Sequence, residues 1–310
     1  MYDEPALDPV FLAEARAGLG ASPRRMSPKW FYDTEGSRLF EAITRLPEYY
    51  PTRTETAILR AGATRLARHV PPGAVLVELG SGASVKTAIL LDAIERLAAY
   101  VPVDISADFL GESAARLRRA RPGLTVHPVA ADFLGEIALP EALAGRPVAV
   151  FFPGSTIGNL DDAEAVALLA RARRLPGAAA FILGADMVKD TDVLLAAYDD
   201  AAGVTAAFNR NLLVRMNREL GTDFDPAAFR HEARWNAAES RIEMHLVARR
   251  AMRVRLGSDN LHFAAGESIH TENSRKFTLP QIDALAAAAG WRVAETLQDA
   301  ERHFSVLALT

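Results

Sequence analysis

Short apolar runs alternate along this chain with stretches that repeat an apolar residue every three or four positions. The segment AVLVELGSG (74–82) is an apolar run closed by glycines, the pattern of a buried parallel strand and a tight turn. A helical pattern follows, with apolar residues at Ile89, Leu90, Ala93, Ile94 and Leu97. The run YVPVDI forms a second strand with Asp104 near its end, and the pattern then predicts a helix over 106–119 and a third strand over 124–129. PVAVFFPGS (147–155) is a fourth strand with Gly154 and Ser155 at its turn. A helix over 161–174 leads into a fifth strand, AAAFILGAD (178–186).

Strands alternating with helices at this spacing predict a doubly wound α/β sheet. Ligands in such sheets sit beyond the carboxyl ends of the strands, at the switch point. Those ends carry Gly80 to Gly82, Asp104, Asp132 with Phe133, and the turn from Gly154 to Asn159. A helix over 279–289 and two strand-like runs, WRVAETL and HFSVLAL, complete the C-terminal part as a hairpin-like edge. Between 190 and 273 the pattern changes. Helical runs come first, and RIEMHLVARRAMRVRL (241–256) then alternates in part with a period of two, which predicts a hairpin. The chain therefore reads as two domains: 53–189 plus 276–310 around the parallel sheet, and 1–52 plus 190–275 as a smaller α+β domain facing the substrate.

Composition narrows the functional classes. The 310 residues are enough for one large domain or two modest ones, and 50% hydrophobic with 24% charged residues is ordinary for a soluble enzyme. A net charge of -4 and a pI near 6.0 argue against a nucleic-acid partner, which calls for basic patches. No run approaches the ~18 to 20 apolar residues of a membrane span. The N-terminal segment lacks the apolar core of a signal peptide, and Cys is absent, so a cytoplasmic monomer is the expectation. The seven histidines, scattered from His69 to His303, show no metal-ligand spacing, so no metal is expected. Ser81 and Ser155 sit in glycine-flanked turns, but neither completes the G-x-S-x-G elbow of a hydrolase.

The glycine turn carries finer information. Glycines let backbone approach a nucleotide-like ligand, and the next helix offers its N-terminal amides. Position 85 is Val, so the third glycine of a dinucleotide fingerprint is missing and a nicotinamide-dependent dehydrogenase is disfavoured. Glu78 just before the turn is instead typical of S-adenosylmethionine binding. Asp104 is placed to accept from ribose hydroxyls. Asp132 can accept from an adenine amino group while Phe133 packs on the base. Lys86 opens the following helix, where a cation is unfavourable unless an anion lies nearby. The methionine carboxylate of the cofactor would serve as one.

Several long segments then resemble one family: SPKWFYDTEGSRLFEAITRLPEYYPTRTE, VELGSGASVKT, FFPGSTIGNL, DMVKDTDVLLAAYDDAAGVTAAFNRN, RIEMHL and FAAGESIHTENSRKF. Together they resemble, over nearly the whole chain, the L-histidine Nα-methyltransferases of ergothioneine biosynthesis. The resemblance implies a Rossmann-like class I methyltransferase domain with a smaller family-specific domain. It implies conversion of free L-histidine to its Nα-trimethyl form, hercynine, in three transfers from S-adenosylmethionine, without a metal. It implies cofactor contacts at Tyr32, Gly80, Lys86, Asp104, Asp132 and Phe133. Histidine contacts are implied at Tyr49, Asn159, Tyr198, Met244, Glu272 and Ser274, with Asn273 between the last two. Of these, Tyr49, Asn159 and Tyr198 would act on the reacting amine and its carboxylate, while Glu272 and Ser274 would grip the imidazole. The segment HTENS departs from the family pattern, which has apolar residues at one or both of the positions held here by His270 and Asn273. Read one at a time, Tyr49 also suits packing, Asn159 a turn and Met244 a core. Two other functions stay open at this stage: the same fold methylating another free amino acid such as tryptophan or tyrosine, and a non-catalytic module that binds S-adenosylmethionine or an amino acid.

Overall fold

The computed structural model describes residues 8–81 and 85–310, so Gly82 of the glycine turn lies outside the described residues. The chain divides into two compact units, Met1–Tyr50 with Asp190–Asn273, and Pro51–Lys189 with Ser274–Thr310.

The second of these is built on a seven-stranded sheet. From edge to edge the order is Val129–Ala130, Ala99–Asp104, Val75–Leu79, Val148–Phe152, Ala178–Asp186, Phe304–Leu309, Val293–Gln298. The first five are parallel, and Phe304–Leu309 runs antiparallel to both of its neighbours. Val75–Leu79 is buried along its length, with Ala99–Asp104 on one side and Val148–Phe152 on the other. The order of the sheet reverses at this strand, so its carboxyl end is the switch point. Alternate residues feed two cores. Val75, Val77 and Leu79 pack with Leu168 and Leu169 of helix Asp162–Arg174 and Ile282 of helix Leu279–Ala288. Leu76 packs with Ile58, Leu59 and Leu66 of helix Tyr50–Ala67 and Leu90 of helix Val85–Ala93. Both faces are covered, which is why these strands read as continuous apolar runs. Helix Asp162–Arg174 starts where a capping box directs it, with Asp161 and Glu164 each accepting from the other's backbone N–H.

One strand is shorter than its pattern. Instead of 124–129, only Val129–Ala130 joins the sheet, preceded by an isolated bridge between Tyr100 and Val126. Pro128 stands between them and has no N–H to continue the ladder.

In the other unit a four-stranded sheet has the order Arg24–Arg25, Ser268–Arg275, Arg241–Ala248, Phe229–Asn236, the chain leaving the unit near the end of Ser268–Arg275. Phe208, Leu212 and Met216 of helix Val204–Leu220 share a core with Phe229, Ile242, Met244 and Leu246 from the sheet. The hairpin expected over 241–256 does not form. Arg241–Ala248 pairs with Phe229–Asn236, while Met252–Leu256 pairs with Asp259–Phe263. The two-residue turn that closes the second pair is Gly257-Ser258, with Gly257 at a φ of 60° that glycine adopts without strain. At the abandoned turn, Arg249 donates instead to the Ala228 carbonyl.

Candidate active site

The sheet unit gathers its expected cofactor residues at the switch point. Gly80 has a φ of 68°, which favours glycine, and its N–H and that of Ser81 both donate to the Val103 carbonyl, at 2.9 and 3.0 Å. This fastens the turn beside Asp104, whose own carbonyl accepts from Ala131 at 3.0 Å. Asp104 and Asp132 each hold the backbone N–H two residues on, at 2.9 Å. The Phe133 ring reaches Gly80, where an added Cβ would sit 3.7 Å from Cε1, and stands edge-on to Phe152 with centroids 5.4 Å apart. Burial pushes the Asp104 carboxyl above its ordinary range, with backbone N–H groups of Ser106 and Ile105 opposing. A half-buried carboxylate at the strand end, a glycine in the left-handed region and a ring over the turn fit an adenosyl group.

Glu78 has another job. It is fully buried and accepts from Thr87 Oγ1 at 2.7 Å and Tyr100 hydroxyl at 2.7 Å, tying its strand to the next strand and the following helix. Burial pushes its pKa up to about 7, against the opposing bonds from Tyr100 and Thr87. The folded state therefore favours the neutral acid. That stabilisation is full below the unfolded pKa of 4.5 and is lost as pH rises through about 7. Glu78→Gln should remove this slope. Between pH about 5 and 8, urea midpoints of the wild type should fall relative to the variant by the equivalent of up to about 3 kcal/mol. Parallel midpoints would contradict the assignment.

The anion that Lys86 needs is present within the protein. Its Nζ lies 2.8 Å from Glu55 Oε2, and the Glu55 side chain is fully buried. Glu55 also accepts from the Gly154 N–H at 2.9 Å, so one carboxylate fastens helix Tyr50–Ala67 to both the Lys86 turn and the Gly154 turn. Asn159 closes the short 3-10 turn Thr156–Asn159 after Val148–Phe152. An added Cβ at Gly158 would come within 2.7 Å of the Arg275 carbonyl oxygen, so this turn packs directly on the Ser274 to Lys276 segment. Ser274 is buried, and its Oγ accepts from Lys276 Nζ at 2.7 Å. Lys276 Nζ lies 2.8 Å from Asp186 Oδ2, and Lys189 Nζ 2.5 Å from Asp186 Oδ1. Burial alone would raise the Asp186 carboxyl, but the charges of Lys276 and Lys189 outweigh it and the net shift is downward. Burial lowers Lys189 to about 8 despite the pull of Asp186.

The smaller unit groups its expected residues in an aromatic cluster. Tyr49 is edge-on to Tyr198 at 6.2 Å and to Phe40 at 6.3 Å, and Phe40 is edge-on to Tyr32 at 5.7 Å. Tyr198 ends helix Thr191–Tyr198, and its carbonyl is 2.7 Å from His231 Nε2. A carbonyl only accepts, so Nε2 carries the proton and Nδ1 accepts from Asn209 Nδ2 at 2.8 Å. Burial holds the His231 pKa down, in keeping with that neutral tautomer. Asn209 Oδ1 in turn accepts from Thr271, which also lies 3.0 Å from the Met244 carbonyl. Met244 is a core residue with a buried side chain. Glu272 is half-buried, and its carbonyl accepts from His270 Nε2 at 3.1 Å. Asn273 Oδ1 is buried without a hydrogen bond of good geometry among the described residues, and the neighbouring His270 imidazole is the side chain that interacts with Asn273.

Among the described residues, Glu243, His245 and His270 form one group whose ligand-type atoms lie within 4.8 Å of one another. Both Glu243 oxygens are taken: Oε1 by Arg241 and Asn236 at 2.8 and 2.9 Å, Oε2 by His245 at 3.2 Å. The two imidazoles stack at 4.9 Å with planes only 17° apart, so their in-plane lone pairs do not converge on one point. Burial and Arg234 hold His245 down to about 4. The geometry is that of a hydrogen-bond network, and His270, one of the two departures in HTENS, serves in it as a brace for the Glu272 backbone.

Glu55, Asn209 and the Asp186–Lys276 pair were not singled out by sequence reasoning. The only signal was an Asp closing the apolar run AAAFILGAD, an acid with apolar residues on almost every side.

A doubly wound sheet with an antiparallel last strand, a glycine turn at its switch point, and carboxylates after the next two strands suit an S-adenosylmethionine-dependent methyltransferase, the class to which the matching family model belongs. The chain belongs to the histidine-specific methyltransferase family, whose model matches residues 11–310. It is 49% identical over 290 residues to the histidine N-alpha-methyltransferase of Mycolicibacterium smegmatis, covering 90% of this chain and 88% of that one. It is 48% identical over 282 residues to the protein of the same name from Mycobacterium tuberculosis, covering 88% and 86%. Ergothioneine biosynthesis protein 1 of Neurospora crassa is 30% identical over 64% of this chain, which corresponds to 23% of that longer protein. Among the described residues no helix is long and apolar enough to cross a membrane.

Proposed function

We propose that the chain converts L-histidine to Nα,Nα,Nα-trimethyl-L-histidine in three successive transfers, as the first step toward ergothioneine. The observation that carries this reading is the 49% identity to a histidine N-alpha-methyltransferase across nearly the full length of both chains. Bound S-adenosylmethionine supplies the methyl group on a sulfonium. The remaining work is positioning, which can account for most of the rate of an in-line displacement.

In this reading Gly80, Asp104, Asp132, Phe133 and Lys86 hold the cofactor, with Tyr32 as a further contact. Tyr49 and Asn159 hold the α-carboxylate and orient the amine. The amine must be neutral when it attacks, so an ammonium proton leaves before each new N–C bond forms and the S–C bond breaks. Tyr198 hydrogen-bonds the amine and, as methyl groups accumulate, presents a π face to the growing cation. Its place is held by the His231 bond to its carbonyl. Glu272 and Ser274, two residues apart on strand Ser268–Arg275 with Asn273 between them, grip the imidazole, and Met244 packs nearby.

Incubation with histidine and S-adenosylmethionine should yield a product heavier by three CH2 units, read by mass spectrometry against a panel of free amino acids. Turnover of tryptophan or tyrosine with none of histidine would replace the substrate assignment. Binding of both ligands without any mass gain would make the protein a binding module.

A further inference from the structure

The segment that carries Ser274 ends in a cation with no access to water. Lys276 is 0% exposed, yet its ammonium donates to the Ser274 hydroxyl at 2.7 Å and pairs with Asp186 at 2.8 Å. Burying an ammonium is costly unless it is paired and hydrogen-bonded. Neutralising Asp186 does not require Lys276, because Lys189 already lies 2.5 Å from the other carboxylate oxygen. Two buried lysines thus meet at Asp186, and Lys276 alone of the two also donates to a serine hydroxyl.

The direction of that bond is fixed by chemistry. An ammonium has three N–H donors and no acceptor. Ser274 Oγ is therefore the acceptor from Lys276, and the hydroxyl proton must point away from it. We propose that Lys276 is a positioning residue for substrate specificity: it orients Ser274 so that the hydroxyl donates to the unprotonated nitrogen of a neutral imidazole, while Glu272 accepts the N–H of the other nitrogen. This rests on the reading of Glu272 and Ser274 as the imidazole grip. Its consequence is selection of one protonation state and one tautomer. An imidazolium carries N–H at both nitrogens and would bring a second positive charge against a serine oxygen that already accepts from Lys276, whereas a neutral imidazole can take the serine proton. A side chain with no acceptor at that position leaves the serine donor unmatched, which is how a polar site rejects an analogue.

Two measurements test this. The first uses the wild-type protein with 15N-labelled histidine and S-adenosylhomocysteine, at a pH of about 6, where free imidazole is mostly protonated. The bound ring should show one pyrrole-type and one pyridine-type nitrogen. Two pyrrole-type nitrogens would overturn the proposal. The second uses Lys276→Met, which leaves Asp186 and Lys189 as a balanced pair. The KM for histidine should rise about tenfold or more, while the KM for S-adenosylmethionine and kcat at saturating histidine stay within about twofold. Lys276→Gln, whose amide still donates, should recover most of the loss. In the Ser274→Ala background, Lys276→Met should add nothing further. An unchanged histidine KM in Lys276→Met, or losses that multiply in the double variant, would overturn the proposal. If Lys276→Met does not fold, the spectrum of the wild-type complex decides alone. A wild-type protein that does not turn over histidine at all would instead refute the proposed substrate.

Discussion

Asp186→Asn should cost about 3 to 5 kcal/mol of stability, a large part of the ~5 to 15 kcal/mol that holds a typical domain together. Asp186 is fully buried at the end of strand Ala178–Asp186, and it is the carboxylate that Lys276 and Lys189 share. An amide of the same shape keeps the packing and removes the charge. Two ammonium groups then remain close together without the carboxylate that joins them, which is worse than an apolar core would be. The check is the urea midpoint of the variant at neutral pH. The deficit should shrink as pH is raised, because a buried ammonium without its anion can shed a proton. Lys189 is already held down to about 8 in the intact protein. A loss below about 1 kcal/mol would mean that water reaches the two lysines.

Glu272→Ala should raise the KM for histidine by about ten- to a hundredfold while leaving S-adenosylmethionine affinity within about twofold. A charge-assisted bond to an imidazole N–H is worth more than a neutral one, and truncation leaves that N–H unmatched. Glu272 is half-buried, and its carbonyl is held by His270, so its backbone is fixed independently of its carboxylate. The loss should therefore appear in substrate affinity and not in the urea midpoint. Equal losses of histidine and S-adenosylmethionine affinity would mark Glu272 as structural.

Much of the parallel sheet was legible because its strands are buried on both faces and therefore read as unbroken apolar runs. The glycine turn, Asp104 and Asp132 with Phe133 were legible because they follow those runs directly. Legibility ended where charge is buried. Glu55 lies in TRTETAILR and Lys276 in NSRKF, contexts that look solvated, and only the tertiary fold removes both from water. It also ended where alternation does not say which strand is the partner. The segment 241–256 alternates correctly for two strands, but its partners lie at 229–236 and 259–263. His231 is one of seven scattered histidines that carry no signal in the sequence. It is buried, and it fixes a tyrosine of the aromatic cluster by one hydrogen bond.

Glu55 has a consequence for how this enzyme can change. Its carboxylate pairs with Lys86 and accepts from Gly154, and it lies so close to Gly184 that an added Cβ there would come within about 2 Å of it. Three distant positions thus depend on one side chain. A methyl group at 184 is excluded while Glu55 stands, and a shorter residue at 55 strands the lysine. Single substitutions among Glu55, Lys86 and Gly184 therefore lead downhill, and only concerted changes cross to another solution. Beneath the glycine turn this set is therefore inherited together or lost together.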